Sequence, residues 1–129
     1  METKIPFQPE FKVPMLTGKK TATTRSKRYG YPGDWFPAFG KVFVLTQVYP
    51  SFLDVVISHH YLEEGSDSPQ EFIECWDRLH PQISYLRRPG RSVFFHRFTI
   101  TQKAHPQTRT VEATLIHRFT APKMAGGNE

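Results

Sequence analysis

Cysteine is all but missing from this chain. Cys75 is the single thiol in 129 residues, so no internal disulfide can form and nothing calls for an oxidising compartment. Long apolar runs are missing too. They reach only a few residues, as in Val55-Val56-Ile57, and Met1 is followed by Glu2, Lys4 and Pro6 in place of an apolar leader. Neither secretion nor a membrane partner is therefore expected, and the chain reads as cytoplasmic. No Gly-rich phosphate loop of the P-loop or dinucleotide type occurs. The six histidines (His59, His60, His80, His96, His105 and His117) form no i, i+4 pair and have no cysteine partner pattern. That argues against a metal site, and no cofactor is expected.

What the chain does have is aromatic bulk and unevenly placed charge. With 129 residues it can build one sizeable core but not two, and its 11 Phe promise a core of large flat rings. Residues 1–28 hold seven Lys or Arg against two acids, whereas residues 50–80 hold seven acids against Arg78 alone. A second basic cluster, Arg87, Arg88 and Arg91, surrounds the turn signal Pro89-Gly90. Basic loops of this kind attract phosphates by Coulomb steering. A solvated basic surface with no partner is the competing reading of the same charges.

The order of elements follows from local signals. Pro6, Pro9 and Pro14 exclude a long N-terminal helix but allow a short turn ending near Leu16, with Gly18 taking the left-handed conformation behind it. Residues 21–26 read as a short strand or extended loop, 31–34 as a turn, and 41–49 as an interior strand with apolar groups on both faces. Ser51 with Asp54 predicts a capped helix over about 52–62. Ser68-Pro69-Gln70-Glu71 predicts a second, whose Phe72, Cys75, Trp76 and Leu79 make one apolar face and which stops at His80-Pro81. In that setting Cys75 reads as a small hydrophobe, Trp76 as core, and Glu71, Glu74 and Asp77 as facing water. Strands follow over 92–100 and 110–117, separated by a loop at 102–108. Residues 1–120 are read as a single domain and 121–129 as a flexible C-terminal tail. The fold class predicted is α+β: a small, partly open β-barrel of five to six strands with two or three short helices.

The segment Gly18-Lys19-Lys20-Thr21-Ala22-Thr23-Thr24-Arg25 resembles the signature of the ASCH family. Gly33-Asp34, Glu63-Glu64-Gly65 and Phe72 to Trp76 followed by His80-Pro81 agree with it in order and spacing. The resemblance spans residues 11 to about 98. It implies a PUA-like β-barrel whose cleft binds RNA or a nucleotide and, in some small members, hydrolyses the amide of N4-acetylcytidine and related acylated cytidines. By the same resemblance Lys20, Thr23 and Glu64 are the catalytic candidates. Counting back from His80-Pro81 puts Gly65 at the family's Glu position, with Glu64 one residue earlier.

Amide hydrolysis needs a nucleophile, a base and donors for the oxyanion. Thr23 could attack, with Lys20 as base if burial or neighbouring cations strip its proton, and Glu64 to orient the lysine or relay the proton. Strict strand alternation opposes Lys20 to Thr23, so this mechanism requires a bend between them. Arg25 is the strongest binding candidate, since a guanidinium grips phosphate or carbonyl oxygen bidentately. Lys19, Lys27, Arg28, Arg87, Arg88 and Arg91 are further contacts to RNA or nucleotide, with Tyr29, Tyr31 and Trp35 for base stacking. Against this stand a plain reading of Thr21 and Thr23 as β-formers with the lysines on phosphates, a non-enzymatic RNA-binding module, and a ribonuclease using the same basic cleft.

Overall fold

In the computed structural model of the chain, which describes residues 1–104, four antiparallel strands curl into half a barrel. A single turn of 3-10 helix at Pro9–Phe11 runs into α1 (Lys12–Thr17), closed by Gly18 at φ 84°. Strand β1 (Ala22–Arg25) follows, then β2 (Trp35–Ala38), β3 (Lys41–Phe52), α2 (Leu53–His60), α3 (Pro69–Leu79) and β4 (Ser92–Ala104). The sheet order is β1-β4-β3-β2, so the strand carrying the signature pairs with the last described strand. The α+β class holds. Among the described residues the strands number four, and the strand expected at 110–117 and the tail at 121–129 lie outside those residues.

Two local expectations are corrected, and one strand falls where no element was assigned. Trp35 and Phe36 begin a strand, because Phe39 (φ 54°) and Gly40 (φ 79°) form a two-residue turn that brings Ala38 opposite Lys41. Both turn residues have positive φ, the geometry that matches strand twist in tight hairpins. Ser51 does not cap α2. The β3–β4 ladder continues to Phe52 opposite Ser92, so Ser51 is still paired with Val93, and the first helical N–H groups go to Arg91 O (2.9 Å) and Pro89 O (2.9 Å). Residues 102–104 extend β4, with Ala104 opposite Lys41, where a loop was expected. The α3 signal is accurate: Ser68 accepts from the Glu71 N–H at 3.1 Å, with Pro69 at the first helical position.

The aromatic residues divide into two packed groups. Phe36, Phe43 and Phe98 stack and cross edge to face, with centroids 5.5 Å apart in each pair, beside Met15 and Leu45. Phe95 and Val93 pack instead with Leu53, Val56, Phe72 and Trp76 under the two helices. Strand β4 serves both groups because Phe95 and Phe98, three apart, face opposite sides of the sheet, and the register shift between Leu45 and Gln47 marks a β-bulge in β3. His96 lies between the groups with no exposure. Its Nε2 accepts from the Tyr29 N–H at 3.0 Å, and its Nδ1 lies 3.1 Å from Phe94 O and 3.3 Å from Thr23 O, which assigns the proton to Nδ1.

Burial pushes the His96 pKa down to about 4. Above pH ~6.5 the ring is neutral whether the chain is folded or not; below that the unfolded chain takes up a proton that the folded one refuses. Stability should therefore fall as pH drops from about 6.5 to about 4, by about 3 kcal/mol in all. Urea denaturation at several pH values measures this. His96→Gln, which keeps an acceptor for the Tyr29 amide but cannot titrate, should flatten the slope.

Candidate functional site

Gly18 ends α1 and turns the chain so that Lys20 precedes the strand proper, which begins at Ala22. Lys20 N–H is bonded to Pro14 O at 2.9 Å, and its side chain folds back on the strand. Nζ donates to Ala22 O (2.8 Å), Glu64 O (3.0 Å) and Glu64 Oε1 (3.3 Å), so three acceptors meet the ammonium's three protons. The ammonium also lies 4.8 Å from the centroid of Phe11. Glu64 Oε2 accepts from Thr24 Oγ1 at 2.6 Å. All three side chains are buried. Burial pushes the Lys20 pKa below its ordinary value, against the opposing pull of the Glu64 carboxylate.

The segment that carries Glu64 is fastened to the start of β1. Glu63 O accepts from Thr21 N (2.7 Å) and Ala22 N (3.0 Å), while the Glu63 carboxylate takes both Arg97 Nε (2.8 Å) and Arg97 Nη2 (2.9 Å). Burial resists ionisation of Glu63, but the hydrogen bonds from Arg97 and His60 outweigh it and hold the carboxyl below its usual range. Gly65 follows at φ 97°, and a Cβ there would stand 3.1 Å from Lys20 Cβ. The position one residue after Glu64 is thus closed to a side chain by the lysine stem, and Glu64 is the carboxylate that meets Lys20.

Lys20, Thr24 and Glu64 line a cavity of about 410 Å³. Small-molecule sites run from about 300 to 1,000 Å³, so a single nucleoside is of suitable size. Thr23 and Arg25, two apart on β1, both line it, and Arg25 Nε donates to Thr23 Oγ1 at 3.0 Å. Arg25 also donates through Nη2 to Pro6 O (2.7 Å) and lies 4.8 Å from the Phe7 centroid. The apolar part of the lining comes from Phe7, Phe11, Phe72, Trp76 and Leu79. Three cations (Lys20, Arg25, Arg78) face three carboxylates (Glu10, Glu64, Glu71) around this space. The cavity is charge-balanced, which differs from the basic cleft expected from charge counts.

Lys20, Thr23, Arg25 and Glu64 are therefore brought together, although Lys20 Nζ has no hydrogen bond to Thr23 among the described residues. The remaining binding candidates lie elsewhere. Lys19 pairs with Asp67 at 3.3 Å. Lys27, Arg28, Tyr29 and Tyr31 line a second, shallower concavity, where Arg28 lies 4.7 Å from the Tyr31 centroid and Lys27 lies 5.3 Å from the Tyr29 centroid. Trp35 is a half-buried member of the β2–β3 ladder, opposite Val44. Arg87 and Arg88 are exposed beside Arg91 in the loop before β4, outside both concavities.

Thr24, Cys75 and His80 line the cavity without having been singled out for it. Cys75 and Leu79 are wall residues as well as members of the α3 apolar face, and burial pushes the Cys75 thiol up, away from the thiolate. Glu71 lies at the cavity, and Asp77 accepts from the Tyr85 N–H at 2.7 Å, so neither simply faces water. For Thr24 strand alternation pointed the other way: it sets Thr24 on the side opposite Thr23 and Arg25, yet all three line the cavity.

No family model matches the chain, and no curated protein does. Solved structures do match. The ASCH domain from Lactobacillus crispatus aligns at a TM-score of 0.54 and 12% identity, over 81% of this chain and 80% of that one. ASCH from Zymomonas mobilis gives 0.53 and 14%, over 87% and 79%. Protein PF0455 from Pyrococcus furiosus gives 0.56 and 18%, over 80% of this chain and all of that one. The chain has the ASCH-domain fold. Among the described residues no helix is long and apolar enough to cross a membrane.

Glu64→Leu should leave the Lys20 ammonium buried without its counter-ion and lower stability by about 3–5 kcal/mol. Lys20→Met combined with Glu64→Leu should regain most of that loss. Urea denaturation of the wild type, both single variants and the double variant reads the coupling directly.

Proposed function

We propose that the cavity takes an acylated cytidine-type nucleoside and hydrolyses its exocyclic amide. The observation that carries this reading is the buried Lys20–Glu64–Thr24 cluster beside the Thr23–Arg25 pair, lining a nucleoside-sized, charge-balanced cavity with an aromatic wall. A polyanionic strand would be drawn to excess positive charge, whereas a neutral nucleoside gains from a flat apolar wall and a few aligned donors. Thr23 Oγ1 attacks the acyl carbon and its proton passes to the Lys20–Glu64 pair. Arg25 donates to the carbonyl oxygen as it becomes an oxyanion. The C–N bond then breaks, the cytosine amine leaves with a proton returned by the pair, and water hydrolyses the threonyl ester. Burial supports the lysine's part by lowering its pKa, and to take the proton the amine gives up one of its three hydrogen bonds, of which that to Glu64 Oε1 is the longest.

The resemblance gives Thr23 the attacking role, while the hydrogen bond to the carboxylate belongs to Thr24. Pure protein incubated with N4-acetylcytidine should release acetate and cytidine, followed by chromatography; no loss of the acetyl group would end the hydrolase reading. Thr23→Ala should abolish turnover while changing nucleoside affinity by no more than about 1 kcal/mol. Thr24→Val should retain turnover at a reduced rate. The reverse pattern would assign the nucleophile to Thr24.

A second reading, RNA contact, is favoured by the guanidinium of Arg28, which lies against Tyr31 in the shallower concavity and also against Phe94. Arginine and tyrosine faces of this kind stack bases. RNA affinity should then fall steeply with added salt, and Arg28→Ala should lower both the affinity and the salt slope, measured by fluorescence anisotropy. An affinity indifferent to salt would discard it.

A further inference from the structure

His80 sits where α3 ends and lines the cavity, and its geometry fixes which of its nitrogens carries the proton. The ring lies on Trp76, with centroids 3.9 Å apart and planes 27° from parallel, and Trp76 is itself anchored by Nε1 donating to Ile83 O at 2.8 Å. His80 Nδ1 lies 3.1 Å from Trp76 O, a carbonyl that can only accept, so Nδ1 carries the proton. Nε2 is left with a lone pair and has no protein partner among the described residues. Burial, helped by the nearby Arg25 charge, keeps the ring below its ordinary pKa, so the lone pair persists at neutral pH.

The three carboxylates around this cavity already accept hydrogen bonds from the protein. Glu10 takes both Nη atoms of Arg78 at 2.8 Å, Glu64 takes Lys20 and Thr24, and Glu71 takes the Asp67 N–H. Donors are plentiful, with Arg25 foremost. A trans secondary amide presents a carbonyl on one edge and an N–H on the other, and so matches a donor and an acceptor that face one space.

We propose that His80 is the specificity residue of the cavity, its Nε2 accepting the hydrogen bond of the ligand's amide N–H while Arg25 meets the carbonyl, so that secondary amides are admitted and tertiary amides refused. This rests on the cavity being the site of an acylated nucleoside. A site built to pair a ligand N–H rejects the analogue that lacks it, because a buried acceptor is then left unpaired.

The experiment measures binding of N4-acetylcytidine and of N4-acetyl-N4-methylcytidine by calorimetry, using Thr23→Ala as the background so that no substrate is consumed. That background should prefer the N–H compound by about tenfold or more, the size of one hydrogen bond. His80→Phe, which keeps a ring on Trp76 but has no lone pair, should lose the preference by weakening the N–H compound alone. His80→Gln, with an acceptor at similar reach, should regain part of it. Both variants should give the far-UV circular dichroism of the parent. A His80→Phe protein that still prefers the N–H compound as the background does overturns the assignment and leaves the nucleoside reading standing. Binding of neither compound overturns the nucleoside reading and this inference together.

Discussion

The buried contact between Lys20 and Glu64 joins the start of β1 to the segment between α2 and α3, and among the described residues it is the one tie between them made of opposite charges taken out of water. Taking an ammonium and a carboxylate out of water is costly, and their attraction repays it only when the remaining protons and lone pairs find partners. Here they do: Ala22 O and Glu64 O complete the ammonium, and the Thr24 hydroxyl completes the carboxylate. Such a cluster is poor evidence for stability and better evidence for a required geometry. The neighbouring features support that geometry. Glu63 ties the segment to β1 through its carbonyl and to β4 through Arg97, and Gly65 leaves room for the lysine stem.

The uneven charge along the chain takes on a different meaning once folded. The basic start and the acidic middle do not become two faces of opposite sign. They are set against each other in part, as Lys19 with Asp67 and Lys20 with Glu64, and Glu10 of the basic start meets Arg78 of the acidic middle. What remains near the β1–β2 connection and in the loop before β4 is the basic excess that a nucleic acid would meet. The two proposed chemistries therefore occupy different places: a charge-balanced cavity and a shallow, basic, aromatic-lined surface.

Legibility in the sequence followed the range of the interaction involved. The start of α3 was readable because Ser68, Pro69 and Glu71 act within one helical turn. Gly18 was readable for the same reason. Strand β2 was not, because its Phe39-Gly40 turn lacks the Asn-Gly or Asp-Gly dipeptide that usually announces a tight hairpin. Ser51 misled because a capping signal competes with a strand ladder, and the ladder is decided by β4, forty residues away. In the cavity, Lys20 and Arg25 carried their own signal through the signature segment. His80 did not, since its role comes from a carbonyl one turn back and from the space it faces. The arginines at 87–91 looked like part of the same site because a sequence records charge but not direction.

The sheet order also bears on how the cavity comes into being. Ala22 pairs with Arg97, 75 positions later, whereas β2 and β3 meet across a two-residue turn. Hairpins close in about 1–10 μs, and contacts between distant segments wait for a longer loop to close. During synthesis the residues at 20–25 emerge early, yet β1 has no strand to pair with until β4 has been made. The cavity is thus among the last features to assemble on a growing chain, and a product truncated before residue 92 lacks the strand that β1 pairs with.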